Sequence, residues 1–134
     1  TTPFNILSVF MRCKSENIPL PDSEKDILGF THADVGGLLL KNWDLPVFHQ
    51  EVVGNHHQPE KNLTFAKEAS IIHVADHIVN HLELGDSGES SFPSPMNKTA
   101  WDNLGLPDGI TLASLSKEIQ KSFNATAQVF LQAA

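Results

Sequence analysis

Seven histidines and no tyrosine occur in the 134 residues of this chain. The histidines fall in two clusters, His49, His56 and His57, then His73, His77 and His81, with His32 apart. Imidazole is the commonest metal-ligating side chain and the one whose charge changes near neutral pH. The first question is therefore which histidines could meet a carboxylate around an ion. Asp76 is the leading carboxylate. If the segment around it is a helix turning about 100° per residue, Phe65, Ala69, Ile72 and Val79 all lie within roughly 60° of it. Those four make an apolar stripe, so Asp76 points where a core should be. Burying an unpaired carboxylate costs several kcal/mol, so a cation, hydrogen bonds or protonation must compensate. Asp76 is then either a buried residue that caps a neighbouring helix or pairs with a histidine, or a metal ligand.

The histidines divide in the same way. His32 opens an otherwise apolar stripe in the first turn of a helix, where the positive end of the dipole disfavours imidazolium. A neutral imidazole is what a metal needs, although a half-solvated helix-start histidine has the same sequence. His56 and His57 end a helix just before Pro59; they are a solvated pair, or they converge on one ion at a fraying terminus. His73 and His77 have the i, i+4 spacing of the helical HExxH arrangement, but position 74 is Val, so the protease signature fails. With His81 they read as partners of Asp76 or as a polar outer face. No G-x-S-x-G, Walker A or dinucleotide-binding glycine motif is present. Cys13 is the single cysteine, which excludes an internal disulfide and a thiolate cluster, and it reads as structural.

The elements that must position these groups are helical throughout. Apolar positions Phe4, Leu7, Phe10 and Met11 predict a helix from Pro3 to about Asn17. A short turn of helix is expected from Ser23 to Leu28. Thr31 with Asp34 resembles a capping box and opens a helix whose stripe is His32, Val35, Gly36, Leu39, Leu40 and Trp43. Pro46 is expected at the first position of the next helix, and Pro59 forbids its continuation. The longest periodic segment runs from about Asn62 to Leu84. Residues Gly85 to Asn97, rich in Gly, Ser and Pro, read as a loop of functional length. A short helix from Thr99 to Leu104, a turn at Asp108-Gly109 and a last helix through Leu112, Leu115, Ile119, Phe123, Val129 and Phe130 complete the chain. The expected fold class is all-α, in one domain spanning 1–134, with no internal repeat or domain boundary.

Composition narrows the function classes. Hydrophobic residues make up 40% and charged residues 19%, which excludes a disordered tail and a coiled coil. With 9 Lys plus Arg against 16 Asp plus Glu, the net charge is -7, which argues against nucleic acid as a partner. No apolar run approaches the roughly 18 to 20 residues of a membrane helix. N-x-S/T triplets at Asn62, Asn97 and Asn124 occur without a signal-peptide pattern, so they read as chance and the expected compartment is the cytoplasm.

The runs Leu28-Gly29-Phe30-Thr31-His32-Ala33-Asp34-Val35-Gly36, Leu39-Leu40-x-x-Trp43-x-Leu45-Pro46, Val52-Val53-x-x-His56-His57-x-Pro59 and Ile72-His73-x-Ala75-Asp76 resemble the HDOD domain. Leu104-Gly105-Leu106 leading into a long helix resembles that family's C-terminal end. HDOD is the HD-related output domain of bacterial signalling proteins, a branch of the HD metal-dependent phosphohydrolase superfamily. The resemblance implies an HD-domain-like helical bundle. It also implies that His32, His56, His57 and Asp76 occupy positions that carry metal in catalytic members, with Mn, Fe or Zn as the ion. The superfamily's His-Asp doublet is absent from this chain, so the resemblance is to the second, C-terminal part of such a domain, with the doublet expected upstream of Thr1. Uncovered apolar faces are expected where the first helices would pack. The Gly-Tyr-Pro motif of cyclic-di-GMP phosphodiesterases is also missing after His56-His57. The implied function is a non-catalytic signal-transduction output module acting on a signalling protein partner or a linked receiver or sensor domain. The alternative is a metal-dependent phosphohydrolase acting on a phosphate ester or nucleotide. A helical scaffold whose histidines are structural or chance is the third reading.

Overall fold

The structure is a computed structural model that describes residues 3–61, 64–85, 88, 89, 91–107 and 109–132. Among them are seven α-helices and no strand: α1 (Pro3–Glu16), α2 (Leu20–Leu28), α3 (His32–Asn42), α4 (Val47–Gly54), α5 (Ala66–His81), α6 (Lys98–Leu104) and α7 (Leu112–Gln132), with a single 3-10 turn at Pro59–Lys61. The all-α expectation holds. No described helix is long and apolar enough to cross a membrane. Asn62, where the fifth helix was expected to begin, and Asp108 of the expected turn lie outside the described residues.

Local chemistry sets the ends. Asn17 turns left-handed at φ 52° and ends α1. Leu20 starts α2 earlier than Ser23, because the Pro19-Pro21 pair supplies helix-compatible φ values and α2 has no other N-terminal cap. Gly29, at φ 83°, closes α2 by donating to the Lys25 carbonyl. Thr31 then caps α3 in a complete capping box: Asp34 N–H donates to Thr31 Oγ1 at 3.1 Å and Thr31 N–H donates to the Asp34 carboxylate at 2.9 Å. That bond holds the Asp34 carboxyl below its usual range, and Lys25 of α2 pairs with it at 3.3 Å. Pro46 is the N-cap of α4 and not its first residue.

α1 packs with α2, α3 with α4, and α5 with both α4 and α6. The α3–α4 crossing is made by small residues. A Cβ on Gly37 would lie 3.0 Å from the Gln50 carbonyl oxygen and 3.2 Å from Gly54 Cα, and one on Gly36 would lie 2.8 Å from Val53 Cγ1. The Gly37 contacts are backbone and cannot yield. Gly37→Val is therefore expected to cost roughly 1–3 kcal/mol by overpacking, read as a lower denaturation midpoint at unchanged slope.

Two hydrophobic clusters result. Val9, Cys13 and Leu20 form one with Phe10, Ile27, Leu28 and Phe92. Val74, Ile78 and Ala100 form the other with Leu82, Met96, Trp101, Leu104, Leu112, Leu115 and Ile119. Phe92 and Met96 both come from the segment after α5, so this segment straps the clusters together.

Two periodicity readings are corrected here. The α3 stripe does not face a core: Val35, Leu39 and Trp43 are 47%, 42% and 64% exposed. Within that stripe α4 meets Gly36, where Val53 approaches it, while the large side chains of Val35, Leu39 and Trp43 stay exposed. In α5 the buried face is Ala69, Ser70, His73, Val74, Ile78 and Asn80, whereas Ile72 and Val79 are exposed. The stripe containing Asp76 is thus not the core stripe, since α6 packs on the Val74–Ile78 side.

Candidate metal centre

Histidine 32 enters the site from the first turn of α3. Its backbone N–H and its Nδ1 both meet one carboxylate oxygen of Glu24, on α2, at 2.9 and 2.8 Å. A carboxylate only accepts, so Nδ1 carries the proton and Nε2 is turned inward with its lone pair. A carboxylate behind the ring is the usual way a metal-ligating imidazole is oriented and made more basic. The same hydrogen bond raises the His32 pKa above its ordinary value, against the opposing effect of burial. This pull is opposite in sign to that of the helix dipole, which disfavours imidazolium at this position. Glu24 was not evident in the sequence.

The turn after α4 supplies the next two ligands. Asn55 ends the helix by donating its backbone N–H and its side-chain amide to the Glu51 carbonyl. His56 Nδ1 donates to the Val53 carbonyl at 2.6 Å, leaving Nε2 as its lone-pair nitrogen. The two neighbouring rings lie 3.9 Å apart, tilted by 44°, so they converge as a terminal pair can. His57 Nε2 is 2.7 Å from His32 Nε2. With His32 protonated at Nδ1, one proton must sit between these nitrogens. His57 Nε2–H then donates, and His57 Nδ1 is left as a bare lone pair. That atom is buried and has no hydrogen-bond partner. Burial, reinforced by the neighbouring His56, lowers the His57 pKa to about 3. Burial also lowers that of His56. Neutral imidazoles are the ligating form.

Asp76 approaches from α5, half-buried, accepting from Asn80 Nδ2 at 3.1 Å. His32, His56 and His57 offer donor atoms all within 4.8 Å of one another, and so do His57, Asp76 and Glu89. All four residues picked out in the sequence therefore come together, with His57 common to both sets. Glu89 is the addition. It lies in the strap, its side chain is 5% exposed, and its carboxylate is 3.7 Å from His57 Nε2. Burial, and then the charge of Asp76, push its carboxyl up to about 7.

The remaining histidines stand outside this set. His73 is buried in α5, not on an outer polar face. Its Nδ1 donates to the His56 carbonyl at 2.9 Å and its Nε2 accepts from Asn97 N–H at 3.0 Å. Both nitrogens are used, so His73 is a bracket between the His56–His57 turn and the end of the strap. His77 Nδ1 donates to the Ser94 carbonyl at 3.2 Å. His49 and His81 are exposed.

The donor set is chemically coherent: imidazoles with inward lone pairs, a carboxylate behind one of them, and carboxylates to offset positive charge. Such a mixed nitrogen and oxygen set suits a divalent first-row ion. No curated protein and no solved structure matches this chain. Residues 2–59, from the start of α1 through the His56–His57 turn to Pro59, match the family model of the HDOD domain.

Proposed function

We propose that the chain is a regulatory, non-catalytic module of signal transduction, holding a divalent ion and acting through a protein partner or a linked receiver or sensor domain. The observation that carries this reading is the junction between an uncovered apolar face and the histidine centre. Ile6, Val9 and Phe10 of α1, Leu20 and Leu28 of α2, and Phe30 and Val35 line an apolar cavity of about 240 Å³ whose wall also contains Glu24 and His32. Leu7 and Met11 on α1, Leu38 and Leu39 on α3, and Trp43 at the end of α3 are further exposed apolar side chains. Contiguous apolar surface of this kind marks an interaction site. A partner covering it removes water from the Glu24–His32 pair, strengthening that hydrogen bond and changing His32 as a ligand. Partner contact and ion binding are coupled through one side-chain pair.

His32, His56, His57 and Asp76 hold the ion, which supplies local positive charge and polarises what it binds. The His57 and Glu89 side chains are only 8% and 5% exposed while that of His32 is 37% exposed, so His32, which also lines the apolar cavity, is the open edge of the centre and faces the partner surface. The second reading, a metal-dependent phosphohydrolase on a phosphate ester or nucleotide, draws on the convergence of the four ligands.

One experiment separates the readings. Mn, Fe and Zn are measured by elemental analysis in the full chain and in Asp76→Ala, and both are assayed with bis(p-nitrophenyl) phosphate. The regulatory reading expects a near-stoichiometric ion, lost in Asp76→Ala, with hydrolysis at the blank rate in both. Turnover that requires metal and disappears in the variant establishes the hydrolase instead.

A further inference from the structure

We infer that Glu89 is a ligand of the same ion, so that the bound metal fastens the strap between α5 and α6 to the histidine turn. This rests on the metal reading above and extends it to a residue beyond the segment that matches the HDOD domain. Three observations carry it.

The two sets of convergent donors share His57. The same nitrogen faces both sets: His57 Nε2 lies 2.7 Å from His32 Nε2 and 3.7 Å from the Glu89 carboxylate, so the two sets adjoin at one atom. The 2.7 Å approach of His32 Nε2 to His57 Nε2 holds a single proton, and a cation is what replaces a proton between two such lone pairs. Meanwhile His57 Nδ1 is buried and has no partner, so the proton arrangement leaves this ring with an unmet lone pair. Because neither tautomer gives Nδ1 a partner, nothing at that atom opposes moving the proton onto it, and the move frees Nε2 toward the ion.

Asp76 and Glu89 present carboxylate oxygens within 4.8 Å of each other. Like charges this close oppose one another, and a divalent cation beside both reverses the sign. Three imidazoles alone leave a 2+ charge uncompensated, and two carboxylates balance it.

Within the strap Phe92 N–H donates to the Glu89 carbonyl at 2.8 Å and Ser94 Oγ donates to the Glu89 carboxylate at 3.4 Å, and the rest of the strap is anchored elsewhere. Leu20 N–H donates to the Phe92 carbonyl at 3.2 Å, His77 donates to Ser94 and Asn97 N–H donates to His73. Asn97 Nδ2 also reaches Glu60 at 2.8 Å. The carboxylate is therefore delivered to His57 by a scaffold fixed at its other end, as a ligand position requires.

The test is a Co²⁺ titration of the chelator-stripped full chain, followed by calorimetry and by visible d–d absorption, which reports the ligand field. The wild type, Glu89→Gln, Glu89→Asp and Ser94→Ala are compared after their helical circular dichroism is shown to match. Expected are one tight Co²⁺ per chain in the wild type and at least about 10-fold weaker binding with an altered d–d spectrum in Glu89→Gln. Glu89→Asp, which keeps a carboxylate, recovers part of both, and Ser94→Ala, which removes only the hydroxyl donor to that carboxylate, shifts both less than Glu89→Gln does. Glu89→Gln with wild-type affinity and spectrum overturns the inference and leaves the metal reading standing. A wild type that takes up neither Co²⁺ nor Zn²⁺ overturns both. If Glu89→Gln does not fold, Glu89→Asp decides: wild-type affinity and spectrum there overturn the inference, and weaker binding with a changed spectrum supports it.

Discussion

In chelator-treated protein, Glu89→Gln is expected to be more stable than the wild type by up to about 3 kcal/mol at pH 8, with the advantage gone below about pH 4.5. The sign follows from the direction of the shift. Burial and Asp76 raise the Glu89 carboxyl from 4.5 to about 7. A group that holds its proton more tightly when folded favours the fold below its unfolded pKa. That contribution is lost as the pH rises through the folded pKa. Each pH unit between the two values costs about 1.4 kcal/mol. Glutamine mimics the protonated acid at every pH and escapes this cost. Urea denaturation of both proteins at pH 4 and pH 8 checks it; a stability difference that is the same at both pH values would refute the ionisation argument. The same substitution is expected to weaken ion binding, so stability without metal and affinity for metal pull this position in opposite directions, as functional sites commonly do.

Replacing His73 by leucine is the second large effect, roughly 2–5 kcal/mol of lost stability. Leucine restores apolar volume but no polar partner. The His56 carbonyl loses its donor and the Asn97 N–H loses its acceptor, each at a cost of about 1–3 kcal/mol when left buried and unmet. Asn97 also caps α6, accepting from Ala100 N–H at 3.2 Å, so a shift of Asn97 loosens that helix as well. His73→Gln can offer one donor and one acceptor at similar reach and is expected to lose less. Chemical denaturation of the three proteins ranks them; equal midpoints for leucine and glutamine would show that the two hydrogen bonds contribute nothing.

The helices were legible because their punctuation is local. Thr31-Asp34, Gly29 and the proline pairs act within a few residues of themselves, and α3 begins where its capping box puts it. The four candidate ligands His32, His56, His57 and Asp76 were legible for a related reason: a polar group at an apolar position, or paired histidines before a proline, breaks a pattern that can be read along the chain. What failed was the choice of buried face. The α3 stripe is apolar yet exposed at Val35, Leu39 and Trp43, because α4 packs over Gly36 and Gly37, and periodicity cannot say which part of an apolar surface a neighbour selects. Glu24 and Glu89 were missed because each is an ordinary acid in its own segment, and only the approach of another element gives it a role. Glu89 had one available signal. It stands three residues before Phe92 in a segment otherwise rich in Ser, Pro and Gly, and an aromatic there marks a segment that docks instead of trailing through solvent. The sequence leaves His73 as a partner of Asp76 or an outer residue, because its actual partners are backbone groups, which carry no sequence signature.

The strap also bears on the order in which the molecule assembles. The pairs α1–α2, α3–α4 and α5–α6 are each formed by neighbours in sequence, and such contacts close quickly at little entropic cost. The metal centre is different: it needs Glu24, His32, the 56–57 turn, Asp76 and Glu89 at once, groups spread across sixty-six residues of chain. Helical hairpins can therefore exist before the centre does and persist after it opens. The centre is therefore expected to open before the hairpins do, as switching elements do. An ion that binds only the closed arrangement adds its binding free energy to that unit alone, setting how often the strap is docked while leaving the hairpins as they were.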